Sequence, residues 1–182
     1  MKKVIILFCM VAWQMHAGAQ SIFLGTADTV TFFSETPAAN IDARSSQTVG
    51  AVNTGTKDVF FKVPMKSFVF KKALMQEHFN ENYAESDKFP YATFKGKVTD
   101  NVDLTKDGTY NVSVSGDFTV HGVTKPRTIP GTIIVKGNSM EVSSSFDVRI
   151  ADHDITIPTL VVTQIAEVVN VKVHGMLSIT QN

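Results

Sequence analysis

The sequence contains one cysteine, Cys9, and one tryptophan, Trp13, among 182 residues. Both fall in the first twenty positions, so the rest of the chain can form no disulfide and carries no thiol nucleophile. Charge of one sign is also missing. Seventeen basic residues face seventeen acidic ones, and no basic block is interleaved with aromatics, so a nucleic-acid partner has no support. A Gly-x-Ser-x-Gly elbow, a phosphate-binding loop and a dinucleotide fingerprint are all absent, and nothing in the motifs points to an enzyme. His78, His121, His153 and His174 form no His-x-His or His-x-x-x-His pair. Read as a strand, "ADHD" would turn neighbouring side chains to opposite faces, so no metal set of three or four convergent ligands is expected.

What is present begins with a leader. Lys2 and Lys3 precede an apolar run from Val4 to Trp13, and Ala17-Gly18-Ala19 supplies small residues for cleavage. The pattern is that of a secretory signal peptide over residues 1–19, too short to span a bilayer. Phe8 stands before Cys9 where a lipoprotein signal needs a small residue. Cleavage near Ala19 leaves one domain over residues 20–182, with no second apolar run of transmembrane length. Periplasmic or secreted placement is the expectation. Without cross-links, a buried core must hold this domain.

Alternation with a period of two dominates from residue 90 onward. Tyr110, Val112, Val114, Phe118 and Val120 share one face of their segment, opposite Asn111, Ser113, Ser115, Asp117 and Thr119. Met140, Val142, Phe146, Val148 and Ile150 oppose Glu141, Ser143, Ser145, Asp147 and Arg149, and Val169, Val171, Val173, Leu177 and Ile179 oppose Asn170, Lys172, His174 and Ser178. Strands with one dry and one wet face are antiparallel strands around a core. Further strands are expected near 29–35, 46–53, 58–70, 91–98 and 127–137, separated by turns at Asn53-Thr54-Gly55, Lys106-Asp107-Gly108 and Lys136-Gly137-Asn138. About eight strands without alternating helices predict an all-β barrel or sandwich. One segment differs. Residues 71–84 are rich in helix formers, and Leu74, His78, Phe79 and Tyr83 fall on one side at helical spacing.

Three stretches carry a resemblance. "SGDFTVHGVTKP" contains a Thr-x-His-Gly-Val-Thr pattern at Thr119, His121, Gly122, Val123 and Thr124. "HFNENYAESDKFPYATFKG" places Lys88 and Pro90 before Thr93 and Phe94. "FDVRIADHDITIP" ends a strand in a turn holding Asp152 and Asp154. Together, and in this order over residues 22–180, they resemble the YceI-like, or lipid/polyisoprenoid-binding, family. The third stretch departs from many relatives, with His153-Asp154-Ile155 where a Phe-Gly follows the aspartate. The resemblance implies an elongated, eight-stranded antiparallel lipocalin-like barrel with one short inserted helix. It also implies an apolar tunnel holding a polyisoprenoid, such as an isoprenoid quinone or polyprenyl chain, or another long-chain apolar lipid.

On that basis Phe61, Phe94, Tyr110, Val112, Val114, Phe118, Val142, Phe146, Val148, Val169, Val171 and Val173 are the expected lining of the interior. His121 and Lys125 are candidates for the mouth or a lipid head group. Leu74, Phe79 and Tyr83 are candidates for a lid. No catalytic residue, metal or cofactor is expected, and homodimerisation is left open. Two other readings stand beside the carrier. One is an exported barrel with a filled core that acts through surface protein partners; the other is a hydrolase or isomerase of an amphiphile, with His121 or His153 as base. At the His121 turn itself, Gly122 would supply a backbone angle closed to other residues and Pro126 would end the pairing.

Overall fold

We describe a computed structural model of the chain, covering residues 21–37, 40–157 and 165–179. The proposed leader therefore lies outside the described residues. Nine strands form one antiparallel sheet: β1 (Ile22–Glu35), β2 (Asn40–Asn53), β3 (Asp58–Pro64), β4 (Val69–Phe70), β5 (Tyr91–Val98), β6 (Gly108–Val120), β7 (Val123–Lys136), β8 (Ser139–Arg149) and β9 (Val168–Ile179). The ring runs β1-β9-β8-β7-β6-β5-β3-β2, and pairing of β1 with β2 closes it, with the two-residue β4 attached to β2. Eight strands thus make a closed barrel, which removes free sheet edges. The single α-helix among the described residues, α1 (Ala73–His78), continues into one π-helical turn, Phe79–Tyr83.

Alternation places the core where the sequence pattern puts it. Phe23, Val98, Leu104, Val135, Met140 and Leu177, none more than 3% exposed, plug one end of the barrel. At the other end Phe32, Phe68, Phe70 and Phe79 pack with ring centroids 5.0 to 5.8 Å apart. Between the two packed ends the inward residues are valines interspersed with phenylalanines.

β1 and β2 break the simple period. Their register slips between Gly25 and Asp28 and again between Asp28 and Val30. Each bulge adds a residue on one strand only and so reverses which parity faces inward. Inward residues therefore run Phe23, Gly25, then Asp28, Val30, Phe32 and Ser34. This is why the alternation visible at 29–35 does not extend to Ile22, where the strand begins.

The seam between β7 and β8 is incomplete. β7 pairs with β6 along its whole length, from Val120↔Val123 to Gly108↔Val135, but with β8 only from Gly131↔Ser144 to Lys136↔Ser139. The cause is in the sequence. His121 and Gly122, with φ of 50° and 73°, form a two-residue turn of the left-handed kind that suits a hairpin. The flanking Val120–Val123 pair is then hydrogen-bonded, and alternation makes Asp117↔Pro126 and Ser113↔Pro130 non-bonded pairs. The nitrogens of Pro126 and Pro130 therefore face β8, and proline has no hydrogen to offer there. Ser144 Oγ donates to the Pro130 carbonyl at 2.6 Å and marks where the strands separate. Pro126 thus lies within β7 rather than ending it, because the edge it faces is unpaired.

At the glycine pair Gly96↔Gly116, β5 and β6 leave no room for a side chain. A Cβ added at Gly116 would overlap the Lys95 carbonyl oxygen and the Gly96 Cα, both of them backbone. Gly116→Ala should lower stability by about 1–3 kcal/mol, as overpacking does elsewhere. A shifted urea midpoint with unchanged slope is the check; an unshifted midpoint would show that the strands can spread.

Candidate functional site

Between the plug and the aromatic end lies a cavity of about 330 Å³, within the span typical of small-molecule sites. Its wall is almost wholly hydrocarbon. Phe61, Phe94, Val112, Val114, Phe118, Val142, Phe146, Val148, Val169, Val171 and Val173 all line it. Tyr110 does not. Its ring packs on the plugged end and its hydroxyl donates to the Lys106 carbonyl at 2.9 Å, which draws it away from the hollow.

Sequence reasoning missed much of the lining. Val30, Phe32, Thr48 and Val52 come from the bulged strands, where parity gave no guide, and Ile129 and Ile133 come from β7. Ser34, also on the wall, accepts a hydrogen bond from the Ala166 N–H at 2.9 Å.

The helical segment covers the aromatic end. Met75, His78, Phe79, Tyr83 and Ala84 line the cavity, whereas Leu74 is 60% exposed and does not. Met75, Phe79 and Tyr83 are spaced four apart, and this set faces in; Leu74 lies one residue off it. The expectation of Leu74 as an inward lid residue is corrected accordingly.

The seam opens the wall on one side. Pro130, Gly131, Thr132, Ser143 and Ser144 line both the cavity and a groove on the outside of the barrel. Beyond them the inward parity of β7 carries Arg127 and Lys125. The Arg127 guanidinium sits 6.0 Å from the rings of Phe118 and Phe146 alike, and it makes no ion pair among the described residues. Lys125 is exposed and lies outside the cavity lining.

His121 is not free at the mouth. Its Nδ1 lies 3.1 Å from the His153 carbonyl and its Nε2 2.6 Å from Glu85 Oε2. Both partners are acceptors, so both bonds form together only when each ring nitrogen carries a hydrogen. Glu85 and His121 also have positive φ, 42° and 50°, a conformation uncommon outside glycine. The contact ties the end of the helical cover to the β6–β7 turn. Phe89 stacks edge-on against His121 with centroids 4.5 Å apart, and it would clash with any side chain at Gly122. Gly122 therefore has two reasons to be glycine, its backbone angle and this ring.

His153 lies beneath that turn, in a short 3-10 helix, Ile150–His153, rather than in a strand. It is 1% exposed, with Nδ1–H donating to the Val123 carbonyl at 3.1 Å. Asp154, beside it, takes the left-handed conformation that ends the turn. Among the described residues no group of three or more histidines, cysteines or carboxylates is placed to hold a metal.

One carboxylate is buried in the wall. Asp28 is 3% exposed and pairs directly with Thr48, which is fully buried and lines the cavity. Gly25, Gly50 and Gly175 make room for it: a Cβ on any of the three would come within 2.5 to 2.9 Å of its carboxylate. Asp28 Oδ1 accepts the Met176 N–H at 3.0 Å, a donor in the stretch where β9 slips against β1. Its Oδ2 and the Thr48 hydroxyl have no hydrogen-bond partner among the described residues. Burial pushes the Asp28 carboxyl above its ordinary range, partly offset by the Met176 N–H and by His174.

Comparison with known proteins now adds to this geometry. The model of the YceI-like domain matches residues 13–177. Among solved structures, a polyisoprenoid-binding domain from Saccharophagus degradans, implicated in plant cell wall breakdown, is similar at 17% identity with a TM-score of 0.75, covering 89% of this chain and all of that one. BcnA from Burkholderia cenocepacia is similar at 14% identity and TM-score 0.69, over 83% of this chain and 96% of that one. The Campylobacter jejuni YceI protein shares 13% identity and TM-score 0.58 over the full length of both chains. No curated protein matches. At these identities the solved structures speak to the fold alone.

Burial holds His153 below its ordinary pKa, near 6.5, against the smaller opposing pull of its bond to Val123. The unfolded chain therefore takes up this proton first as pH falls. Stability should be fully present above about pH 6.5 and decline below it, towards the depressed folded value. His153→Gln should flatten this slope in urea titrations between pH 7.5 and 5; an equally steep slope would place the acid sensitivity elsewhere. With no curated match and only fold-level likeness among solved structures, the family model is what identifies the chain: it belongs to the YceI-like family.

Proposed function

We propose that the chain is an exported, non-enzymatic carrier of a long-chain apolar lipid, held in the barrel interior. The observation that carries this is the cavity itself. Valine rows on β6, β8 and β9 leave a hollow between the phenylalanines of the wall, and the plug and the aromatic cluster close the two ends of the barrel. Burial of one methylene contributes about 0.8 kcal/mol, so a five-carbon isoprene unit contributes roughly 3–4 kcal/mol. A few such units exceed an association cost of about 4–15 kcal/mol without any charged contact.

The similar domain described as polyisoprenoid-binding supports an isoprenoid chain as cargo. The charged start and small-residue end of residues 1–19 support export and a periplasmic or secreted location. No helix among the described residues is long and apolar enough to cross a membrane. Lipid would enter through the β7–β8 seam or past the helical cover.

Three measurements follow from this reading. Organic extraction of the purified protein, analysed by mass spectrometry, should yield a long-chain molecule near one per protein, and the chain recovered from the exported fraction should lack tryptophan fluorescence. Clean extracts from several hosts would favour a filled core acting through surface partners.

Phe79→Asp, which puts a charge among Phe32, Phe68 and Phe70, should speed lipid exchange several-fold if the cover is the gate. Pro126→Thr with Pro130→Thr returns two donors to the open edge of β7 and should slow exchange if the seam is the gate. Exchange unchanged in both variants would deny either route.

A further inference from the structure

We infer that Arg127 is a head-group site for the cargo: it holds a carboxylate in the open β7–β8 seam while the ligand's chain runs inward to the cavity. The inference rests on the carrier reading and narrows its ligand to a long-chain acid. It starts from a cation without a counter-charge. The chain has three arginines, and two of them are exposed. Arg44 donates to the Thr29 hydroxyl at 3.2 Å, and Arg149 lies 3.6 Å from the Glu167 carboxylate. Arg127 is half-buried, yet no hydrogen bond or ion pair among the described residues reaches its guanidinium. Burying a charge without a partner costs stability, so the more buried arginine is the one that most needs an anion.

Two rings fix where that anion would sit. Phe118 stands on β6 and Phe146 on β8, the strands on either side of β7, and the guanidinium is 6.0 Å from both. It therefore lies across the inner side of the seam, beyond Gly131↔Ser144, where β7 and β8 no longer pair. Both rings line the cavity, so a head group on Arg127 has its chain beside the hollow. The opposite lip adds donors. Alternation along β8 turns the N–H groups of Ser143, Ser145 and Asp147 towards β7, and of these only Ser143 meets a paired residue there, Thr132.

The chemistry selects the ligand class. A carboxylate accepts two parallel bonds from a guanidinium and keeps lone pairs for the N–H groups across the slit. An alcohol brings no charge to balance the arginine. A phosphate dianion brings more than one arginine balances, and the Asp147 carboxylate, exposed on the outer face of the same lip, opposes it.

The test uses the processed protein, stripped of lipid, in native mass spectrometry. Its probes are geranylgeranoic acid and geranylgeraniol, compared at pH 8, where the acid is ionised. The wild type should bind the acid about tenfold more tightly than the alcohol or better, the range of a hydrogen bond to a charged group. Arg127→Gln should bring the ratio of the two affinities to about one by weakening the acid and leaving the alcohol unchanged. Arg127→Lys keeps the charge without the planar fork, and its ratio should fall between those two. The wild-type ratio needs neither variant to fold. Equal wild-type affinities, a preference for the alcohol, or a preference for the acid that survives Arg127→Gln overturns the site and leaves the carrier standing. Binding of neither probe overturns the carrier and the site together.

Discussion

The closed ring of backbone hydrogen bonds sets the radius of this molecule, and side chains must work within it. Eight strands put the wall near the limit at which inward side chains meet at the axis. Phenylalanine, leucine and methionine reach it; valine does not. Around the cavity the inward rows mix the two, as at Val114, Phe118, Val142 and Phe146. Val142 and Val114 sit midway, while Met140 and Leu177 close the plug. Function follows from where volume is withheld, since the strand pairing would be the same with a filled middle.

The ring is not complete, and its exceptions to pairing fall at two places beside the cavity. Pro126 and Pro130 remove donors from one edge of β7 without disturbing its other edge, because both stand at non-bonded positions against β6. That placement opens a slit and also leaves the exposed edge a poor template for another chain's strand. At the aromatic end the closure is a helical turn instead of strands. It is anchored by Glu85 meeting His121, two residues in left-handed backbone conformations. Such conformations persist where surrounding contacts fix them, and here each is fixed partly by the other.

Regular strands were legible in the sequence and irregular ones were not, for a definite reason. β5, β6, β8 and β9 have inward sets that follow residue parity, so their lining could be named in advance. β1 and β2 slip register around Asp28, and each slip inverts parity, which hid Val30, Val52 and Thr48. His121, a candidate for the mouth, is a turn residue that strand parity does not govern, and its ring is held by Glu85 and the His153 carbonyl. Leu74 failed for a smaller reason: the inward stripe of the helical cover runs through Met75, one residue away. The slit was legible in principle. Two prolines four apart in one strand must face the same neighbour, and the turn at His121-Gly122 fixes which neighbour that is.

Solved structures only 13 to 17% identical to this chain share its fold, so the ring tolerates almost any sequence that alternates. What the ring contains is less tolerant. A valine changed to isoleucine costs the wall little but takes space from the cavity. A buried carboxyl is harder still to keep by accident, because an uncharged acceptor would serve the backbone better. Asp28 occupies space that three glycines leave clear, and glycine in a strand weakens the strand. Four positions on three strands therefore give up stability at one point on the inner wall.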